Sequence, residues 1–512
     1  MRWFLIFIIL VGILSRFIAL DSFLQEDEKR FLVSSIKIYH ESFNSGRLYM
    51  SEHPPLARWF AGIPSMFVSE YNFQPAEDLG NYEFIYIFYR EIAANLLPIR
   101  LMSAIVGTLA VALVYIVTKN TFNKNAALFS AALMAISADF IFFSKMALTE
   151  IYMAFFALAS IHFYFKFIKE RGRKKYGYAL LLFLFLTFLF GSRPFQPLFL
   201  APAILLGSYF VFRSEWKTNI IVTGIVIAAL ISIFLIIWPP NISNKLFSWT
   251  QIKSPLDALG FSLPETIYAM IFRHSYIFLL SIIATAYFVA RKKFTGILNN
   301  SQYKFFILFF AVCFLGIAFS SFGETPDLMR FSFIMAIPLY VLGGGSLSKI
   351  FETNVDWKIL IILIFLISFF SLALEFTNNP DFSLYVNFGV KKYVILYQLQ
   401  FNEVSNYKDI IKFLNDNTGP PIYSNNVNML IFYKSSSGMF NIPAIIHNEL
   451  RCNQQAVDAI KQINPAIVYQ HSGSELNNTI KLDGLYCKLI ADLPLEEVYR
   501  AGKISVYQIL QN

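Results

Sequence analysis

Long apolar runs alternate with short polar stretches through the first three quarters of the chain. A helix needs roughly 17–25 apolar residues to cross a bilayer, and about eleven runs approach that length. They begin near residues 3, 98, 126, 150, 177, 195, 219, 268, 304, 330 and 358. Between the fifth and sixth runs stands Gly191-Ser-Arg-Pro194. Proline there would cost a helix one backbone bond, which predicts a tight turn at the surface. Trp3 to Leu20 has no small-x-small cleavage site after it and reads as a retained first span. In residues 28–43, Phe31, Val33, Ile36, Ile38 and Phe43 are set against Lys29, Lys37 and His40, predicting an amphipathic interfacial helix. A further helix is expected over Ala57–Val68.

Beyond residue 375 the pattern changes. Asn406 to Asn415 has helical periodicity, Pro421-Ile-Tyr-Ser is a short strand, Ala456 to Ile463 a second helix, and Ala466-Ile-Val-Tyr469 a buried strand. The chain therefore reads as a polytopic α-helical membrane protein over residues 1–375, with a separate soluble α/β domain over 376–512.

Composition agrees: 56% of residues are hydrophobic, 15% are charged and mean hydropathy is +0.54, too few charges for a soluble surface at this length. The net charge of +9 does not point to nucleic acid, because Lys and Arg sit mostly in short loops between apolar runs. Numbered from a cytoplasmic N-terminus, every even loop is basic: Lys119/Lys124, Lys166 to Lys175, Arg213/Lys217, Arg291 to Lys293 with Lys304, and Lys349/Lys358. The positive-inside rule assigns them to the cytoplasm. Residues 21–97, 145–150, 191–193, 239–267, 322–329 and the C-terminal domain then share the extracytoplasmic face. Of three cysteines, Cys313 reads as a packing residue, whereas Cys452 and Cys487 suit either a disulfide or two unrelated thiols.

The polar residues with chemical potential all fall on that one face. Asp27-Glu28 follows the first span and suits a solvated helix start or a general base at the membrane surface. His53 precedes two prolines that stiffen its backbone, so it could orient a sugar hydroxyl, share a metal, or simply open a turn. Lys145 and Glu150 stand at the mouth of the fourth span, where an ionisable group is a functional candidate by default. Arg100, Arg193 and Arg330 lie at the outer ends of spans, against the topological bias. They suit a phosphate clamp or snorkelling to lipid headgroups. No Walker loop, GxSxG elbow, HExxH helix or Rossmann glycine pattern is present.

The acidic pair, His53-Pro-Pro-Leu56, Arg100 and Ser144-Lys145-Met-Ala-Leu-Thr-Glu150 together resemble the protein O-mannosyltransferases. The aminoarabinose transferases of lipid A share the pattern, and both belong to the polytopic GT-C glycosyltransferases. The likeness covers residues 1–170 well and Arg330-Phe331 with Pro338 more loosely. It implies a polyprenyl- or dolichyl-phosphate sugar donor, Asp27 as catalytic base, and Glu28 and Glu150 completing an acidic site. Arg100, Arg193, Arg330 and Lys145 would hold the donor phosphate, with His53 orienting substrate. No cofactor is required. A divalent metal ion, if used, would fall to Asp27, Glu28 and Glu150. The family usually carries Asp at the position of Glu150 and Arg at that of Lys145. The C-terminal domain does not look like the β-trefoil insert of eukaryotic O-mannosyltransferases.

The chemistry also follows from the residues. A sugar on a polyprenyl phosphate already has a good leaving group, so one carboxylate can take the acceptor's proton while cations stabilise the departing phosphate. The expected reaction is hexose transfer, for example of mannose, with inversion, to an extracytoplasmic protein, glycan or lipid. The alternative is a transporter or flippase of lipid-linked sugars. That reading would favour ionisable groups near the bilayer midplane and internal repeats, and no such repeat is evident.

Overall fold

In a computed structural model of the chain, the described residues are 2–17, 31–32, 35–36, 56–67, 81–192, 197–211, 217, 219–225, 227–228, 280–286, 301–318, 333–353, 409–410, 412–413, 422–424, 445–447, 466–470, 495–501 and 504–509. Two compact units divide the chain. The first comprises Met1–Leu20, Glu26–Pro64 and Pro98–Ile395; the second comprises Asp21–Gln25, Ser65–Leu97 and Leu396–Asn512.

The helical elements are α1 (Arg2–Phe17), α2 (Leu56–Gly62) running into a 3-10 turn at Ile63–Phe67, α3 (Asn81–Thr121), α4 (Lys124–Ile136), α5 (Ala138–Lys145), α6 (Thr149–Lys169), α7 (Arg173–Phe190), α8 (Pro197–Leu206), α9 (Ser301–Ala318) and α10 (Ala336–Thr353). Among the described residues four stretches are long and apolar enough to cross a membrane: Asn95–Thr121, Thr149–Lys169, Ser301–Ala318 and Phe333–Glu352. Counting the bent pair α4–α5 as one span makes five, so the chain is a multi-pass membrane protein. The count of eleven extends beyond this, and the runs expected near 219, 268 and 358 lie wholly or largely outside the described residues.

Helix ends follow local chemistry. The Asn123 side chain caps α4 by accepting from Ala126 N at 2.8 Å. Gly172 turns the basic loop between α6 and α7 with φ +69°, a conformation that a side chain would resist. The break expected at Gly191-Ser-Arg-Pro194 is present: α7 ends at Phe190 and α8 starts at Pro197, where the missing N–H costs nothing.

The run starting near 126 is not one straight span. It is two helices bent by 60° around Ser137, whose backbone is extended at φ −67°, ψ 121°. The Ser137 hydroxyl is held by the Tyr340 hydroxyl of α10 at 2.6 Å. Periodicity could not register the break, because both arms stay apolar. Of the amphipathic helix expected over 28–43, helical turns at 31–32 and 35–36 are described; Phe31, Leu32, Ser35 and Ile36 are buried there, and Ser35 Oγ donates to Phe31 O at 2.8 Å, while Lys29, Lys37 and His40 lie outside the described residues.

In lipid the hydrophobic effect does not hold helices together, so close packing of small residues and interhelical hydrogen bonds must. Gly344 of α10 lies so near α4 that a Cβ would meet Ser130 Oγ, with Ser130 N at 2.7 Å and Ala126 O at 2.8 Å. Aromatic rings fill the wider gaps. Phe60 of α2 sits edge-on to Phe188 of α7 at 5.3 Å, and 5.5 Å from Phe156 of α6. Cys313 is buried in α9; Cys452 and Cys487 are outside the described residues.

The second unit contains a five-stranded sheet of β1 (Ile422–Ser424), β2 (Ile445–His447), β3 (Ala466–Gln470), β4 (Leu495–Ala501) and β5 (Ile504–Ile509), in order β2-β1-β3-β5-β4. β1 pairs parallel with β2 and β3, with Ile422 opposite Ile445 and Ala466. β5 pairs antiparallel with β3 and β4, and β4 bulges between Glu497 and Tyr499. Tyr499 stacks on Phe413 at 4.3 Å, which covers one face of the hairpin. Strands β1 and β3 fall where the sequence places them. Of the expected helix at 406–415 only helical turns at 409–410 and 412–413 are described, and the helix at 456–463 lies outside the described residues.

Gly344→Ala should lower stability by about 1–3 kcal/mol, because the added carbon meets the backbone at Ser130 N and Ala126 O as well as Ser130 Oγ. A drop in Tm of the purified protein, with helical circular dichroism retained at low temperature, checks this.

Candidate active site

One face of α3 organises the site. Arg100, Ser103 and Gly107 are spaced i, i+3 and i+7, so they lie along one stripe about 10 Å long. The fully buried Arg100 guanidinium reaches Met146 Sδ at 3.5 Å. Ser103 Oγ shares a hydrogen bond with Tyr152 Oη of α6 at 3.2 Å and donates to Ile99 O at 3.4 Å. A Cβ at Gly107 would run into Ser144 of α5. This stripe therefore docks α3 against the end of α5, the start of α6 and the link joining them.

The link, Met146 to Leu148, has an extended backbone at both ends, with Met146 at ψ 145° and Leu148 at ψ 159°. Lys145 ends α5 at 7% exposure and Glu150 opens α6 at 0%. Thr149 Oγ1 donates to Glu150 Oε2 at 3.3 Å. A carboxylate in a first helical turn is favoured by the helix dipole. Arg100, Lys145 and Glu150, three of the eight residues expected from the sequence, are thus gathered around one short link.

The other five, Asp27, Glu28, His53, Arg193 and Arg330, lie outside the described residues. Two described contacts involve residues near them in the chain. Phe31, three residues after Glu28, packs on Tyr152 with centroids 6.3 Å apart. Leu56, three after His53, donates its N–H to Gly191 O at 3.0 Å, two residues before Arg193. Gly191 has no room for a side chain: a Cβ there would meet Leu56 Cδ1, with Cγ at 2.7 Å. Among the described residues no group of three or more His, Cys, Asp or Glu could hold a metal ion, and the expected acidic set includes two residues beyond them.

A second polar cluster, not expected from the sequence, lies at the α4–α5 bend. Arg16, fully buried near the end of α1, donates from Nε to Ser144 Oγ at 3.2 Å, from Nη2 to Met134 O at 3.2 Å and from Nη1 to Ala135 O at 3.3 Å. Nη1 also reaches Gly12 O at 2.9 Å and Ser15 Oγ at 3.1 Å, and the guanidinium lies 5.5 Å from the Phe140 ring centre. Asp139 is 2% exposed and interacts electrostatically with Tyr340. A signal existed for both residues. Arg16 breaks the positive-inside bias as Arg100 does, and Asp139 is a carboxylate inside an apolar run.

These features define a multi-pass membrane protein with cations and a carboxylate buried where two helices meet. Residues 30–248 match the family described as dolichyl-phosphate-mannose-protein mannosyltransferase. That stretch contains His53, Arg100, Lys145, Glu150 and Arg193, and it starts two residues after Glu28. No match was found among curated proteins. The chain has the fold of ArnT from Cupriavidus metallidurans. It is 13% identical to the structure bound to undecaprenyl phosphate, with a TM-score of 0.54, covering 100% of this chain and 98% of that one. For apo ArnT the values are 13% and 0.52, covering 99% and 97%. An oligosaccharyltransferase of Archaeoglobus fulgidus, in complex with Zn and sulfate, is 14% identical with a TM-score of 0.51, over 91% of this chain and 68% of that one. The resemblance to the protein O-mannosyltransferases is thereby borne out over residues 30–248.

Gly191→Ala should separate α2 from the α7–α8 turn and cost about 1–3 kcal/mol. The shorter side chain of Leu56→Ala should partly rescue it, and a double-mutant cycle on Tm checks the coupling.

Proposed function

We propose that the chain is an inverting glycosyltransferase. It moves a sugar, a hexose such as mannose, from a polyprenyl- or dolichyl-phosphate carrier to an extracytoplasmic protein, glycan or lipid. The observation that carries this reading is the burial of Arg100, Lys145 and Glu150 around the α5–α6 link. Ionisable groups are expensive in a membrane and persist there for a use. Two cations beside an apolar helical bundle suit a phosphate whose lipid tail stays in the bilayer. The match over residues 30–248 and the undecaprenyl phosphate named with ArnT support a donor of that class.

The acceptor hydroxyl attacks the anomeric carbon from the side opposite the phosphate. The bond from that carbon to the phosphate oxygen breaks as the new carbon–oxygen bond forms, which inverts the centre. Asp27 takes the hydroxyl proton, with Glu28 beside it in the chain. Arg100 and Lys145, with Arg193 and Arg330, neutralise the charge that collects on the leaving polyprenyl phosphate. Glu150 holds the acidic side of the site and His53 orients the sugar. A divalent ion, if bound, falls to Asp27, Glu28 and Glu150.

Radiolabelled polyprenyl-phosphate mannose or glucose, supplied to the purified protein with acceptor hydroxyls, tests the reaction. Asp27→Asn should lower kcat by about 10²–10⁴-fold while donor binding persists. Full activity in that variant would remove Asp27 as base, and lipid translocation without transfer would favour a flippase. The orientation has its own test. With Cys313, Cys452 and Cys487 replaced by Ser, a membrane-impermeant maleimide should label Arg193→Cys in intact cells, and should label Lys174→Cys only after permeabilisation.

A further inference from the structure

The guanidinium of Arg16 forks between the two arms of a broken helix. On one side it donates to Met134 O and Ala135 O at 3.2 and 3.3 Å, carbonyls in the last turn of α4. Carbonyls there have no partner within the helix, and in a bilayer water does not take them up. On the other side Nε donates to Ser144 Oγ, in the last turn of α5. Ser144 has one hydroxyl proton, which goes to Phe140 O, so its oxygen is left to accept from Arg16. Gly107 lets α3 close over this contact: a Cβ there would meet Ser144 and lie 3.2 Å from Arg16 Nε. The snorkelling alternative fails, since Arg16 is 0% exposed and five acceptors surround its head.

We propose that Arg16 is a positioning residue for the donor-phosphate site, fixing the α4–α5 bend so that Lys145 stands where the carrier phosphate docks and Glu150 at the acidic side of the same site. This rests on the donor reading given above. Lys145 directly follows Ser144, and Glu150 opens α6 one short link later. The eight residues of α5 form a lever about 12 Å long, so a 10° change in the bend displaces its end by about 2 Å. Displacements of about 1 Å in a reacting constellation can cost about 100-fold. Arg16 touches neither Lys145 nor the link in any recorded hydrogen bond; its influence runs through Ser144 and the two carbonyls.

The experiment measures undecaprenyl phosphate affinity and thermal stability on the full chain in lipid nanodiscs, with KM and kcat for the labelled donor. Arg16→Met should weaken undecaprenyl phosphate binding and raise donor KM at least tenfold, and Arg16→Lys should restore part of both. Ser144→Ala should raise donor KM alone but add little in the Arg16→Met background. Gly207→Ala, whose Cβ would sit 2.7 Å from Phe305 Cδ2, is the control. It should lose stability with donor KM unchanged. Wild-type affinity and KM in folded Arg16→Met would overturn the proposal, as would an equal loss of affinity in Gly207→Ala. If Arg16→Met does not fold, unchanged KM in both Arg16→Lys and Ser144→Ala would overturn it instead. Failure of the unaltered protein to bind undecaprenyl phosphate at all would overturn the donor reading and this inference with it.

Discussion

A helix that breaks inside a bilayer exposes carbonyl groups to a medium that cannot hydrogen-bond them, and α4 breaks at Ser137. Each such group left bare would cost several kcal/mol. Arg16 from α1 and Tyr340 from α10 converge on this break. One takes up the carbonyls of Met134 and Ala135, and the other holds the Ser137 hydroxyl. The bend is therefore an assembled feature, dependent on two elements more than a hundred residues apart from each other and on the arms that they join. From this bend α5 runs to the α5–α6 link, where Lys145 and Glu150 are buried.

The remaining architecture serves close approach. Gly344 brings α10 against α4, Gly107 brings α3 against α5, and Gly191 brings the α7–α8 turn against Leu56. Lipid tails are as apolar as leucine, so these contacts gain by dispersion and by the hydrogen bonds that short distances allow. The stripe Arg100, Ser103 and Gly107 combines a buried cation, an interhelical bond and a small contact residue on one helix face. Close packing and a buried cation therefore share one surface.

Three residues of the candidate site were legible because ionisable residues stand out against apolar sequence. Arg100, Lys145 and Glu150 could be singled out by their cost in a membrane, and all three are gathered at one link. Arg16 was not legible in the same way. Its place against the positive-inside bias marks it as unusual, but its use depends on its acceptors, and three of the five are backbone carbonyls that carry no side-chain signature. Ser137 and Tyr340 are ordinary residues of apolar runs and gain meaning only by meeting. The contact of Phe31 with Tyr152 was not legible either, because the two rings are more than a hundred residues apart in the chain.

The sequence by itself determined that the chain is a multi-pass helical membrane protein, where its punctuating turns fall, and which charged residues are too costly to be incidental. Those properties are local or additive: hydropathy sums along a span, proline removes one bond, and charge in lipid is expensive wherever it sits. Only the tertiary structure decided that the run after residue 124 is broken, that Arg16 holds the break, and that the face of α3 bearing Arg100 meets the start of α6. Those properties depend on which carbonyl, hydroxyl or missing side chain lies opposite, and that is set by elements remote in the chain.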